Sequence, residues 1–406
     1  MVLSSSVKAF TNLDEGENFQ GIYLSAPLVF LGMLSLLNAV RLSRIRSRNI
    51  FPTTANKLYI LLIFWSVITI LQSFSFNFLV LRDMWGISLF AWAFLVPIIA
   101  VLGSDLQFWR IVIKKLFMFG WWGVLAFILT FIYFKRPHDL NLAYGCLIIL
   151  LFSPFVSFRN YRFYRLLIFC GSIASLLSSI FILSRNLVIE KSLFIFFAGL
   201  IYFLQKHKYR LRNRFFVFSA AIGMLFLINY VGSVDYITFL PPTVNEQIDA
   251  FKEKLPKNSR FSEKNNLYLE FLNDVQGVDL LIGRGVMGEY FGYVGAGTPE
   301  GTDRRAIECG YFQIILKGGI IMLGLIMGLS FMAIWLAFFR SRNWFSKACA
   351  FIVTTRLIAM VPYGLPNASI DYVIFWMAIG ACLSINIRRA TDKDIAESIN
   401  PKIPIV

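Results

Sequence analysis

The sequence predicts an all-α, polytopic membrane protein with about eleven transmembrane helices and one large outer loop that contains short helices. Three observations carry this reading. Of 406 residues, 57% are hydrophobic and 15% charged, with mean hydropathy +0.67, which excludes an ordinary water-soluble domain. Apolar runs of about 18 residues or more, long enough to cross a ~30 Å hydrocarbon core, recur from Gly21 to Asn386. The 39 Lys and Arg are also unevenly shared between the connectors.

Irregular backbone at membrane depth leaves amides unpaired, so each apolar run reads as a helix. Spans fall near 21–40, 57–80, 87–104, 117–134, 142–157, 166–184, 187–205, 215–233, 307–338, 346–365 and 367–386. The first follows the polar stretch Thr11–Gln20, with no basic leader and no small-residue cleavage site, and reads as a span rather than a signal peptide. The connectors Arg41–Lys57, Asp105–Lys115, Arg159–Arg165, Lys206–Arg214 and Arg340–Lys347, with the tail from Arg388, hold 23 of the 39 bases and four acids. The positive-inside rule makes that side cytoplasmic, with the amino terminus outside and the carboxyl terminus inside. The net charge of +16 is therefore a sidedness signal, and nucleic acid is not an expected partner.

Four regions follow: an amino-terminal bundle over 1–232, the outer loop over 233–306, a carboxyl-terminal bundle over 307–388 and a cytoplasmic tail over 389–406. Within the loop, Val244–Leu255 and Asn266–Ile282 have helical apolar spacing, bounded by Pro241-Pro242, Pro256 and the glycine-rich run Gly292–Gly301. The five cysteines, Cys146, Cys170, Cys309, Cys349 and Cys382, show no paired spacing and read as packing residues. Neither a metal site nor a cofactor motif is expected.

Charged groups at a span or its mouth are costly and mark cavities or partners. Arg185 lies in Ser184-Arg185-Asn186 between spans six and seven. Arg284 lies in Leu281-Ile-Gly-Arg-Gly285, whose glycines allow close backbone approach to a ligand. Arg304, Arg305 and Glu308 lead into span nine, in Asp303-Arg-Arg-Ala-Ile-Glu-Cys-Gly-Tyr-Phe-Gln-Ile-Ile-Leu-Lys-Gly-Gly319, which also holds Tyr311. Arg356 lies in span ten.

A structural role stands beside each. Arg185 can snorkel to lipid phosphates, Arg284 can cap a turn, and Arg304 and Arg305 have helical ion-pair spacing to Glu308. Arg356 can pair with Asp371 of the next span. Asp83, Glu190 and Lys191 read as interfacial residues, and the charges between Glu246 and Lys264 as a solvated helix face. The functional reading is that outer arginines bind a diphosphate as planar forks while Glu308 accepts a proton from a sugar hydroxyl.

The many spans, the outer loop between late helices, the Ser-Arg pair, Leu281-Ile-Gly-Arg-Gly285 and the Glu308–Gly319 segment together resemble the Wzy-type O-antigen polymerases, whose plan the O-antigen ligases share. The resemblance implies a metal-independent glycosyltransferase of the bacterial inner membrane. It would polymerise undecaprenyl-diphosphate-linked oligosaccharides at the periplasmic face, with the lipid bilayer and a chain-length regulator protein as further partners. Arg185 and Arg284 match the diphosphate-binding positions, with Arg304 and Arg305 added to them, and Glu308 matches the start of the span after the loop. Ligases have a functional histidine there; here the histidines are His138 and His207, in connectors elsewhere. Ligase-type transfer, a lipid-linked oligosaccharide flippase and a non-catalytic scaffold or sensor are the alternatives.

Reporter fusions test the topology: one at Lys208 is expected to read cytoplasmic and one at Lys264 periplasmic. Both on one side would overturn the span assignment.

Overall fold

The structure is a computed structural model that describes residues 50–73, 93–116, 144–152, 155, 168–176, 185–206, 268–292, 302–305, 307, 309–361 and 370–399. The expected spans at 21–40, 117–134 and 215–233, the loop stretch Val244–Leu255, Asp83 and Glu308 lie outside the described residues. The described chain is mostly helical and divides into two compact units, one of 1–202, 277–288 and 305–406, the other of 203–276 and 289–304.

In the first unit, α1 spans Thr53–Gln72 and begins directly after Pro52, which has no amide to extend a helix backwards. One face of α1 is buried through Ala55, Tyr59, Leu62, Ser66 and Thr69, at alternating spacings of four and three. The other face exposes Ile60, Leu61, Phe64, Val67 and Leu71, where a water-facing helix would carry charges. A second apolar helix, called α7 in chain order, spans Gly310–Arg340 and exposes Ile320, Ile321, Phe331, Trp335 and Phe339. These two are long and apolar enough to cross a membrane.

Between them come α2 (Val96–Gly103), α3 (Leu106–Leu116), α4 (Tyr144–Phe152), α5 (Arg185–Lys206) and α6 (Gly277–Ile282). After α7 come α8 (Trp344–Ala359), α9 (Ile370–Leu383), α10 (Ile385–Arg389) and α11 (Asp392–Ile399). A bent pair, α2 with α3 at 95°, counts as one further span or as a re-entrant turn. Against the expected eleven, the described residues thus hold two helices of crossing length, or up to three.

The expected connector Asp105–Lys115 is helical. Asp105 caps α3 by accepting the Gln107 amide at 2.9 Å, and Trp109 turns inward to donate to Gly103 O at 2.7 Å. Trp109, Phe152 and Phe345 meet at ring separations of 5.1–5.6 Å, which joins α3, α4 and α8. Phe351 of α8 stacks on Phe197 of α5 at 4.2 Å and meets Phe338 of α7 at 5.0 Å. Helices α2 and α9 cross through glycine: a Cβ on Gly103 would strike Met377 O, and one on Gly380 would strike Ala100 O.

The tail is strapped to the α7–α8 turn. Asn343 caps α8 through the Ser346 amide at 2.8 Å and donates to Ile387 O at 2.6 Å and Ala390 O at 3.0 Å. Asp392 accepts the Trp344 amide at 2.7 Å; burial raises this carboxyl, against the pull of that amide and of Lys347. Thr391 and Asp394 form a reciprocal capping box at the start of α11, and the Thr391 amide and hydroxyl hold the Asp394 carboxyl below its ordinary value.

The second unit holds the helical residues 268–274 and an antiparallel pair, β1 (Tyr290–Gly292) and β2 (Thr302–Arg304), with Tyr290 opposite Arg304. Phe271 and Tyr290 meet edge to face at 5.5 Å, and Asp274 accepts the Phe291 amide at 3.2 Å. The loop is thus not wholly helical. Its expected helix over Asn266–Ile282 breaks before Gly277, whose φ of 58° ends one helix ahead of the next.

Gly103→Ala and Gly380→Ala are each expected to cost roughly 1–3 kcal/mol, because backbone must move to admit the methyl. Gly199→Ala in α5, with open space around its Cβ position, should gain up to about 1 kcal/mol. Thermal unfolding in detergent micelles reads all three, and a Gly380→Ala midpoint at or above wild type would remove the close α2–α9 crossing.

Candidate functional site

Helix α7 is two helices joined at Gly319, whose φ of 72° and ψ of −179° break the helical path. Glycine at both 318 and 319 makes the break inexpensive in side-chain terms. It leaves the last carbonyls of the first half without intrahelical donors. Each finds one elsewhere: Leu316 O accepts the Arg284 amide at 2.8 Å, Lys317 O the Gly285 amide at 3.0 Å, and Gly318 O the Trp65 indole of α1 at 2.7 Å.

The donors at 284 and 285 belong to Leu281-Ile-Gly-Arg-Gly285, which turns out of α6 through Gly283 (φ 78°) and Gly285 (φ 76°). Both glycines are needed twice over. Their φ values suit no L side chain, and a Cβ on Gly283 would meet Lys317 O while one on Gly285 would meet Ser73 Oγ. Ser73, at the end of α1, in turn donates to Arg284 O at 3.3 Å. Lys317 is fully buried, and its ammonium donates to Val286 O at 2.9 Å and Gly288 O at 2.8 Å. The segment carrying Arg284 is therefore seated on the break, where the apolar stretch 320–340 begins.

The Arg284 side chain stays 25% exposed, and its Nε donates to Asp279 Oδ2 at 2.7 Å. This pair spans α6 and its exit, so Arg284 does help close a turn. It also fixes the plane of the guanidinium, because Nε sits at the stem of the fork.

A second charged cluster joins three helices. Arg356 of α8 donates through Nη1 to Glu190 of α5 at 2.7 Å and reaches Asp371 of α9 through Nη2 at 3.2 Å. The expected pairing with Asp371 is present, and Glu190 completes it. Glu190 and Lys191 are buried rather than interfacial: Lys191 Nζ donates to Ser175 O at 3.1 Å. Their place near the start of α5 does not decide burial; the facing of the helix does.

The remaining candidates separate. Helix α5 begins at Arg185, whose side chain lies outside the described part, as does Glu308. Arg304 ends β2, and Arg305 sits in a bend whose carbonyl accepts from Gln313 Nε2 at 3.4 Å. Arg304 and Arg305 are thus in a strand and a bend rather than a helix, and α7 starts at Gly310 rather than at the expected 307. Gln313 also accepts the Ile307 amide at 2.8 Å, which shapes the entry to α7. Tyr311 donates to Leu357 O at 2.7 Å, so its proton ties α7 to α8. Among the described residues, no group of three or more His, Cys, Asp or Glu is placed to hold a metal ion.

Sequence reasoning missed Lys317, Asp279 and Trp65, and read Glu190 as interfacial. The available signal was a lysine directly before Gly318-Gly319 in an apolar run, a place where a charge survives only with partners.

Arg356→Met leaves the buried Glu190 and the half-buried Asp371 without their shared cation and is expected to destabilise by roughly 3–5 kcal/mol. Adding Glu190→Gln and Asp371→Asn should recover most of that loss. Thermal unfolding of the single and triple variants decides it, since a single variant as stable as wild type would deny the cluster any part in joining α5, α8 and α9. No protein-family model, curated protein or solved structure matches the chain, and the functional reading rests on its own residues.

Proposed function

We propose that the protein is a metal-independent glycosyltransferase of the bacterial inner membrane that polymerises undecaprenyl-diphosphate-linked oligosaccharide repeat units at the periplasmic face. The observation that supports this most is the seating of Arg284. A guanidinium oriented by Asp279 stands on a glycine-flanked segment at the end of an apolar helix, where the diphosphate of a membrane lipid would lie.

In this reading the terminal hydroxyl of one lipid-linked repeat attacks the anomeric carbon of the growing glycan on another. The new glycosidic bond forms as the bond from that carbon to the diphosphate oxygen breaks, and the electron pair leaves with undecaprenyl diphosphate. Arg185 and Arg284 stabilise the charge that develops there, a contribution of a few kcal/mol per well-placed donor. Glu308 takes the hydroxyl proton. Ligase-type transfer of finished glycan to another acceptor uses the same groups, and the glycan of a deletion strain separates the two: a single repeat unit marks lost polymerisation, and polymer left on the lipid diphosphate marks lost ligation.

A flippase is favoured by one observation, the charged cluster of Arg356, Glu190 and Asp371 buried between three helices, since transporters carry such groups together with broken helices. Repeat-unit movement across liposomes without transfer would select it.

Arg185→Lys and Arg284→Lys, which replace a fork by a point charge, should each lose most activity while still accumulating in the membrane. Glu308→Gln should slow transfer by roughly 10²–10⁴-fold with lipid-diphosphate binding retained. The assay is repeat-unit transfer by purified protein on lipid-linked substrate; wild-type rates in all three variants would remove these residues from the reaction.

A further inference from the structure

We propose that Lys317 is a positioning residue for Arg284, a proposal that rests on the transferase reading above. The ammonium of Lys317 is fully buried, and it donates to Val286 O and Gly288 O at 2.9 and 2.8 Å. The same turn of α7 accepts from the other side of the segment, Leu316 O from the Arg284 amide at 2.8 Å and Lys317 O from the Gly285 amide at 3.0 Å. Arg284 is therefore held within a stretch, 284–288, bonded four times to residues 316 and 317, with Ser73 Oγ adding a bond to Arg284 O at 3.3 Å.

The chemistry of lysine suits this task. A buried ammonium is expensive unless its protons are bonded, so its preference for the carbonyls at 286 and 288 is strong and the segment is pinned rather than merely packed. Glycine at 288 closes the arrangement: a Cβ there would come within 2.7 Å of Arg284 Cβ and 3.1 Å of Leu316 O. The path from Lys317 to the guanidinium is short. It runs through the Val286–Gly288 turn to Arg284, whose fork Asp279 then orients.

A lysine that only stabilised the bundle would predict a different pattern of losses from one that acts through Arg284. Lys317→Met removes the donors, and Gly288→Ala presses a methyl against Arg284 Cβ while keeping the lysine side chain. Each is expected to lower kcat/KM for repeat-unit transfer by about 10²-fold, the effect of misplacing a binding group by about 1 Å. In an Arg284→Ala background neither should cost more than about 2-fold, because the group they position is already gone. Backbone amide exchange across 283–288 should quicken at least ~10-fold in Lys317→Met, with 320–340 unchanged. Losses that multiply on Arg284→Ala, or unchanged exchange at 283–288, overturn the proposal. A wild-type protein that transfers no repeat unit overturns the transferase reading, and faster exchange in Lys317→Met would then leave the clamp without that reaction.

Discussion

A helix broken inside an apolar run can persist only where each released carbonyl finds a donor, because neither lipid nor a packed interior supplies one. At Gly319 this requirement organises its surroundings. The Trp65 indole brings α1 to the break, the Arg284 and Gly285 amides bring in the segment after α6, and Lys317 bonds that segment from the helix side. The glycines follow from the same demand. Gly283 and Gly285 both turn through positive φ, Gly283 against the backbone at Lys317 and Gly285 against the Ser73 side chain, and Gly319 packs so closely on Leu281 that a side chain would have no room.

The cluster of Arg356, Glu190 and Asp371 answers a parallel demand for charge. Helices α5, α8 and α9 each contribute one charged member. Removing the shared cation would leave two carboxylates uncompensated, so the three helices are coupled through Arg356 rather than by large net stabilisation. The aromatic contacts of Phe351 with Phe197 and Phe338 supply the apolar packing beside it. Tyr311 adds a direct bond from the first turn of α7 to Leu357, next to Arg356, so the start of α7 is anchored to the same helix as the cluster.

The helical character and the placing of α1, α5, α7, α8 and α9 were readable from apolar runs, because length and hydropathy determine which segments pair their amides internally. The Arg356–Asp371 pair was readable because two costly charges in adjacent runs have few partners to choose from. What escaped depends on facing and on tertiary donors. Glu190 sits near a helix end where hydropathy cannot tell an inward side chain from an outward one. The strands Tyr290–Gly292 and Thr302–Arg304 are too short for any period to register, and the glycine-rich run between them signalled only a turn. Helix Leu106–Leu116 was obscured by its charges, although Asp105 is a regular cap residue for it.

Two basic side chains near the break illustrate how environment and residue type together set what a charge does. Lys317 is wholly enclosed and donates to two backbone carbonyls, Val286 O and Gly288 O, which fixes it within the turn it supports. Arg284 is partly exposed and bonded through Nε to a carboxylate that is itself 46% exposed. An ion pair exposed to this degree contributes little to stability, and its main consequence is geometric: it sets the plane of the guanidinium. The compact lysine charge serves the interior, where rotatable donors can follow the carbonyls, and the planar arginine stands at the partly exposed rim, its plane set by Asp279. That division of labour follows from the break at Gly319, which creates both the enclosed carbonyls and the rim.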